Sequence, residues 1–173
     1  MKKYLTILLA LTLILCTACG TDTPAPTPSA QPSAAPVTPD YGELYFASGS
    51  VKFGIFDEAE PILSALGEPV NGTFESESCA YQGKDYFYYY DGFELMVNDI
   101  DGTSRITGIT LSDDTVQTPQ GLKIGMALDT ALSLMDGAPE QNGQVYRFVS
   151  GTAALLLRDA GDGTLAAISY TAA

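Results

Sequence analysis

The sequence contains no histidine and no tryptophan, and its eight basic residues face 21 acidic ones. Without histidine, the chain lacks the side chain that most often transfers protons near neutral pH and most often binds transition metals. The net charge of −13 disfavours nucleic acid and anionic lipid head groups, because both repel a negative surface. The charge suits a cationic partner, or it serves solubility alone.

Lys2 and Lys3 precede an apolar run at residues 4–15, which is too short to hold a helix across a bilayer. Ala18 then stands directly before Cys19. This arrangement resembles the lipobox of bacterial lipoproteins. The resemblance implies a signal peptide over residues 1–18, cleavage before Cys19, lipidation of that residue and a lipid-anchored, extracytoplasmic protein of the bacterial cell envelope. Removal of the two lysines changes the net charge from −13 to −15. An ordinary signal peptide with a chance cysteine is the alternative.

Residues 20–40 hold six of the ten prolines, interleaved with threonine, alanine and serine. Such a composition cannot bury enough apolar surface to offset the entropy of ordering the chain. We therefore expect residues 19–40 to form an extended spacer between the lipidated cysteine and a folded domain at residues 41–173.

One pattern occurs twice in the folded domain. An apolar-Lys-apolar triplet is followed by glycine, a short amphipathic helix and Gly-x-Pro, at residues 54–69 and again at 125–139. The helix stripes are Ala59, Ile62, Leu63 and Leu66, and Leu128, Ala131, Leu132 and Met135. We expect Asp57 to cap the first helix. The landmarks recur at offsets of 69 to 71 residues, which predicts two repeats at about 50–111 and 121–173.

Alternating apolar and polar residues follow each helix and predict strands. The expected strands lie near 77–82, 85–90, 93–98 and 104–111, and near 144–149, 153–158 and 165–171. Consecutive hairpins give antiparallel pairing. The predicted fold class is therefore α+β: two tandem α-β-β-β repeats that form one antiparallel sheet, with two short helices on one face and the other face open.

The motif at residues 122–139 resembles the opening of the SmpA/OmlA (BamE) envelope lipoproteins. The tandem helix-plus-meander pattern over about residues 50–173 resembles the β-lactamase inhibitor protein. These resemblances imply a small two-layer α+β module that binds another protein and lacks catalysis. No contact residue of the inhibitor carries over, because the binding loops show no match.

Aromatic residues are concentrated at residues 81–93. In a strand, Tyr86, Tyr88 and Tyr90 share one face and Phe87 and Tyr89 share the other. We expect the three-tyrosine side to lie on the open face, where tyrosine supplies rigid contact area with a polar tip. The alternative is that tyrosine is simply a good strand former.

No metal or cofactor site is predicted. The acidic stretches at 98–102 and 159–163 do not fit a calcium loop and are typical of hairpin turns. Without histidine no Cys-His nucleophile exists, and we expect Cys79 to be a buried, inert cysteine in a strand.

The sequence thus predicts a membrane-tethered, non-catalytic module that binds an unknown and preferably cationic protein or peptide, with no nucleic-acid partner and no membrane contact beyond the anchor. A structural scaffold component of an envelope assembly is the alternative. A wall-glycan hydrolase that uses paired carboxylates is the third hypothesis.

Overall fold

The computed structural model describes residues 44–173. The signal peptide, Cys19 and the spacer predicted over residues 1–40 lie outside the described residues. The elements, in chain order, are β1 (Phe46–Ser48), β2 (Val51–Phe53), α1 (Ala59–Leu66), β3 (Thr73–Glu77), β4 (Lys84–Tyr89), β5 (Phe93–Ile100), β6 (Thr103–Leu111), α2 (Leu128–Ser133), β7 (Glu140–Asn142), β8 (Val145–Ser150), β9 (Ala153–Asp159) and β10 (Leu165–Ala172).

Eight of the strands form one antiparallel sheet in the order β3-β4-β5-β6-β10-β9-β8-β7, and β1 and β2 form a separate hairpin. The α+β class is therefore confirmed, with two helices and a mostly antiparallel sheet. The strand expected near 77–82 is wrong: β3 ends at Glu77, and residues 78–83 turn back because Ser78 and Gly83 close a loop with a 3.0 Å hydrogen bond. The short strand β7 was not predicted.

The two halves of the sheet meet where β6 pairs with β10. Only three residue pairs of β10 and β6 are in register, from Ser169↔Thr110 to Thr171↔Gly108. The β1–β2 hairpin packs against this junction through Phe46, whose ring centroid lies 5.0 Å from that of Phe93 on β5 and 6.3 Å from that of Tyr170 on β10. One aromatic side chain therefore contacts both halves.

Helix α1 begins without the expected side-chain cap. Its N-cap residue is Glu58, and the Asp57 carboxylate accepts the N–H of Gly54 at 2.8 Å instead. The residues before the helix pair with the start of β6: the Phe56 N–H donates to the Ile106 carbonyl at 2.7 Å, and the Ile106 N–H donates to the Asp57 carbonyl at 3.0 Å. This pairing fixes the helix entry over the sheet.

Helix α2 enters in the same way at the start of β10. The Gly125 N–H donates to the Leu165 carbonyl at 2.8 Å, and the Leu165 N–H donates to the Met126 carbonyl at 2.9 Å. Gly125 has a φ of 81°, and Phe56, which makes the same bond before α1, has a φ of 71°. Both helix entries thus require the left-handed region, which glycine adopts at little cost and phenylalanine does not.

All the cover described for the sheet lies on one face. Side chains of both helices and the hairpin join those of the central strands in one hydrophobic cluster, whose fully buried members include Phe46, Phe53, Ala59, Leu95, Ala131, Leu155 and Leu157. Neither helix exceeds two turns or so, and each is stable only through this burial. The opposite face of the sheet, called the bare face below, carries no helix or hairpin among residues 44–173.

Candidate functional site

The three predicted site tyrosines lie on the helix side of the sheet. In β4, Tyr86 stands opposite Val97 and Tyr88 opposite Leu95. Val97 and Leu95 are core residues, and cross-strand partners share a face. The expectation that the three-tyrosine side lies on the open face is therefore wrong, because the register with β5 places it towards the core.

Tyr90 is a core residue, and β4 ends one residue before it. Its ring stacks on that of Phe93 at a centroid distance of 5.1 Å, and its hydroxyl donates to the Gly67 carbonyl at the end of α1 at 3.1 Å. Burial raises the pKa of the Tyr90 hydroxyl, with smaller contributions from Tyr88 and Glu68. Tyr90 therefore holds α1 against the sheet, and its side chain is not accessible to a partner.

Tyr86 and Tyr88 line two separate surface depressions, of which only that of Tyr88 includes residues of α1. Tyr86, which is 38% exposed, belongs to a depression of about 810 Å³, here called the tyrosine cleft. It is formed with residues 80–83 of the β3–β4 loop, Lys84 at the start of β4, and residues 99–102 at the end of β5 and in the turn that follows. Tyr88 lines a smaller depression of about 420 Å³ against Leu63, Gly67 and Pro69, and burial raises the pKa of its hydroxyl. Both depressions are open to solvent at the outer strands.

The bare face presents an apolar row that the sequence pattern alone did not single out. Phe74 of β3, Phe87 of β4, Met96 of β5 and Gly108 of β6 are consecutive cross-strand partners. Phe74 is 56% exposed, and its ring centroid lies 6.0 Å from that of Phe87. The Met96 side chain lies across Gly108, where an added Cβ would stand 3.2 Å from the Met96 Cβ.

The row continues into the second half of the sheet. Thr171 of β10 pairs with Gly108, Ala154 of β9 with Thr171, and Val149 of β8 with Ala154. Val149 is 49% exposed. Leu156, which is partly buried, stands two residues from Ala154 on the same face. Ala154 itself is buried and Thr171 half-buried, so the apolar side chains that the row presents to solvent are those of Phe74, Phe87, Met96 and Val149. Apolar side chains gathered on one accessible face are typical of a surface that contacts another macromolecule.

The bare face also holds a half-buried carboxyl. Glu94 of β5 lies between Tyr89 of β4 and Thr110 of β6. Burial raises the pKa of Glu94 above its ordinary value of 4.5, since water around the charged form is reduced. Removal of more water by a bound partner would raise that pKa further unless the partner supplies a cation.

A β-bulge beside the apolar row is closed by a polar chain. Thr107 is the extra residue of β6 opposite the Met96–Val97 step. Its hydroxyl donates to the Asn98 Oδ1 at 2.5 Å, and the Asn98 Nδ2 donates to the Asp85 Oδ1 at 2.5 Å. Asn98 is fully buried and Thr107 nearly so. Buried polar groups remain stable when they satisfy one another in this way.

The acidic turns use their carboxylates to hold the backbone. The Asp99 Oδ1 accepts the Gly102 N–H at 2.8 Å. The Asp159 Oδ1 accepts N–H groups of Gly161 and Gly163 at 2.9 and 3.2 Å. These are the bonds that aspartate makes in turns. Over residues 44–173, no group of three or more cysteine, aspartate or glutamate side chains is placed to hold a metal ion.

Cys79 is exposed in the loop that joins β3 and β4. The expectation of a buried cysteine in a strand is wrong, because the chain has already left β3 at this point. Cys79 is a free cysteine and forms no bond with the predicted site residues Tyr86, Tyr88 and Tyr90. Within the described part of the chain, no helix has the length and apolar character needed to cross a membrane.

Comparison of the chain with protein-family models, with curated proteins and with solved structures gives no match.

Proposed function

We propose that this chain is a lipid-anchored, non-catalytic module of the bacterial cell envelope that binds a protein or peptide through the bare face of its sheet. The observation that carries the proposal is the row of cross-strand partners from Phe74 through Phe87 and Met96 to Val149. It crosses seven of the eight strands, is exposed at its two ends, Phe74 and Val149, and is half-buried at Phe87 and Met96. Exposed aromatic and methionine side chains on a rigid sheet supply contact area at low entropic cost.

The charge of the first half of the sheet supports a cationic partner: Asp85 and Glu94 lie on the bare face, and Glu75 and Glu77 lie beside it on the other side of the edge strand β3. Residues 73–111 contain seven acidic and two basic side chains. Lys84 is engaged with the Glu75 carboxylate, and Arg105 donates to the Phe56 carbonyl at 2.8 Å. The excess negative charge would attract a basic partner over a range of about 10 Å at ordinary salt and would accelerate its association.

We also propose that the domain arose by duplication of one helix-plus-meander unit. Each helix is followed by four strands, and the sheet order places the two last strands, β6 and β10, side by side. The matching backbone bonds before α1 and α2 support the same interpretation. The units differ in the β3–β4 loop, which is longer than the turn between β7 and β8.

Anchoring through Cys19 is part of the proposal and has its own test. The sequence Leu15-Cys16-Thr17-Ala18-Cys19 is the basis for it. In bacteria grown with a labelled fatty acid, we expect the chain to carry the label and to sediment with membranes. The Cys19→Ser variant should lose both properties, and an unlabelled wild-type chain would contradict the anchor.

Binding through the bare face is tested by site-specific photocrosslinking in cells. A photoreactive phenylalanine analogue is placed at Phe87 on the bare face and, as a matched control, at Glu60, which is exposed on α1. We expect a discrete adduct of defined mass from position 87 and none from position 60. Equal adducts at both positions, or none at position 87, would contradict the proposed surface.

A further inference from the structure

The strand β3 forms one edge of the eight-stranded sheet, and its outer side has no neighbouring strand in the described part of the chain. Four of its five residues are exposed, and Ser76 is half-buried. An edge of this kind presents backbone donors and acceptors to which another extended chain can add.

Hydrogen bonds at both ends of β3 fix the direction of its backbone groups. The Gly72 carbonyl accepts the Tyr89 N–H at 3.0 Å, and the Ser78 N–H donates to the Gly83 carbonyl at 3.0 Å. Antiparallel pairs alternate between hydrogen-bonded and non-bonded along a strand. Phe74 and Ser76 therefore bond to β4. The N–H and C=O groups of Thr73, Glu75 and Glu77 point away from the sheet, where none has a bond to the described residues.

The opposite edge of the sheet is built differently. The edge strand β7 has three residues, Glu140–Asn142, and follows Pro139, which has no N–H. Short edge strands and proline are the features by which sheets resist added strands. The chain thus blocks one edge of its sheet and leaves five residues available on the other.

Side chains on the two faces of β3 select what could pair with it. Thr73, Glu75 and Glu77 lie on the side of the tyrosine cleft, and Phe74 and Ser76 lie on the bare face. A second copy of this chain fits poorly, because antiparallel self-pairing centred on Glu75 would set two Glu75 carboxylates side by side. Each is paired with its own Lys84, but Glu77 leaves an excess negative charge on both strands. Like charges directly opposite one another destabilise a sheet. An extended segment in which basic and apolar residues alternate would place its basic side chains beside Glu75 and Glu77 on one face and its apolar side chains beside Phe74 on the other.

We propose that β3 captures an extended segment of a partner protein as a ninth strand, with basic side chains against Glu75 and Glu77 and apolar ones beside Phe74. This inference rests on the proposed binding function and specifies its mode. Main-chain bonds to Thr73, Glu75 and Glu77 would supply affinity, and the alternation of side chains would supply specificity.

The test uses the mature protein purified in detergent and the peptide Lys-Val-Lys-Val-Lys-Val-Lys, blocked at both ends. Two variants are matched: both Glu75→Thr and Glu75→Pro remove the carboxylate and release Lys84 from its ion pair, and Glu75→Pro alone also removes the outward N–H while sparing the bonds to β4. We expect Glu75→Thr to weaken binding roughly threefold. Glu75→Pro should weaken it by about a further tenfold.

Amide hydrogen exchange supplies a second readout. Peptide addition should slow exchange at Thr73, Glu75 and Glu77 and leave Phe74 and Ser76 unchanged, because those two amides already bond to β4. A Glu-Val alternating peptide, or a Lys-Val peptide with proline at its centre, should not produce this protection. Equal binding by the Pro and Thr variants, or a dimer of the free protein that Glu75→Pro dissociates, would overturn the proposal.

The outcome is separable from that of the proposed function. If the photoreactive residue at position 87 gives its adduct in the Glu75→Pro variant as strongly as in the wild type, the partner binds by the bare face alone and strand addition is wrong. If position 87 gives no adduct in the wild type, the proposed binding surface itself fails.

Discussion

The strands β4 and β8 occupy matching places in the two halves of the sheet, yet they are packed differently. On the core side, Phe148 of β8 pairs with Leu155 and is 6% exposed, whereas Tyr88 of β4 pairs with Leu95 and remains half-buried. The same position is thus a closed core site in one half and the wall of an open depression in the other. The first half therefore keeps side chains partly accessible at a position that the second half closes.

Charge follows the same division. Residues 73–111 carry seven acidic and two basic side chains, and residues 140–172 carry three and two. Each half has one ion pair between its two outer strands, Arg147 with Glu140 at 2.8 Å in the second and Lys84 with Glu75 in the first, so the difference lies in the excess of acidic residues. A domain needs one half to be stably closed if the other is to keep apolar and acidic groups accessible. The predictions that follow test this asymmetry.

The largest expected effect is at Phe148. The Phe148→Ala variant should lose about 3–5 kcal/mol of unfolding free energy, because it opens a cavity in the closed half. The matched Tyr88→Ala variant should lose only about 1 kcal/mol, since a half-buried side chain leaves no sealed cavity. Urea unfolding monitored by circular dichroism measures both. Similar losses for the two variants would remove the asymmetry.

The polar chain at the bulge is a feature of the first half. Asn98→Ala should cost about 2–3 kcal/mol, because it leaves Thr107 and Asp85 without their buried partner. Asn142→Ala on the exposed strand β7 is the control, with an expected change under about 0.5 kcal/mol. Urea unfolding measures both variants. A loss of unfolding free energy at Asn98 no larger than that at Asn142 would show that the hydrogen-bonded side chains at the bulge add nothing to stability.

The helix entries allow a subtler test of the likeness between the halves. Gly125→Ala should cost about 1–2 kcal/mol, because alanine must adopt the left-handed region at a φ of 81° while its Cβ meets no atom within 4 Å. Gly125→Asn should cost less, since asparagine tolerates this region. Thermal unfolding distinguishes the two. An unchanged Gly125→Ala variant would mean that the entry relaxes and is not fixed by its bonds to Leu165.

The smallest expected effect concerns Glu94 of β5. The equivalent residue in the second half of the sheet is Ala154 of β9. Burial raises the pKa of Glu94 in the folded state, so the wild type should lose stability as the pH rises from about 4.5 through the raised value. Glu94→Gln removes this dependence. The variant should therefore gain stability relative to the wild type at neutral pH and not below pH 4 or so. Unfolding curves across this range measure it, and a constant difference would contradict it.

The sequence was sufficient to predict the class of the fold, because helix stripes such as Ile62 and Leu66 and the glycine-marked turns are local signals. It did not determine which side of β4 faces the core. Tyrosine and phenylalanine alternate there, and both tolerate half-burial, so only the register with Leu95 and Val97 decides the orientation. The position of β3 was missed for a related reason: Thr73–Glu77 is an exposed edge with no apolar alternation to mark it.

The predicted site residues illustrate the same limit. Tyr90 was grouped with Tyr86 by parity, but the chain leaves β4 after Tyr89 and turns Tyr90 under α1. The bare-face row of Phe74, Phe87 and Met96 comes from three different strands. Its members are neighbours only through pairing, which no local window of sequence contains.

The packing of Phe46 has a mechanical consequence. A force applied from the N-terminal side of the chain reaches the domain at β1. Phe46 on that strand packs against the rings of Phe93 and Tyr170, which lie on either side of the three-pair junction between β6 and β10. Tension would therefore reach both halves of the sheet at once, through side-chain packing and not through a shared strand.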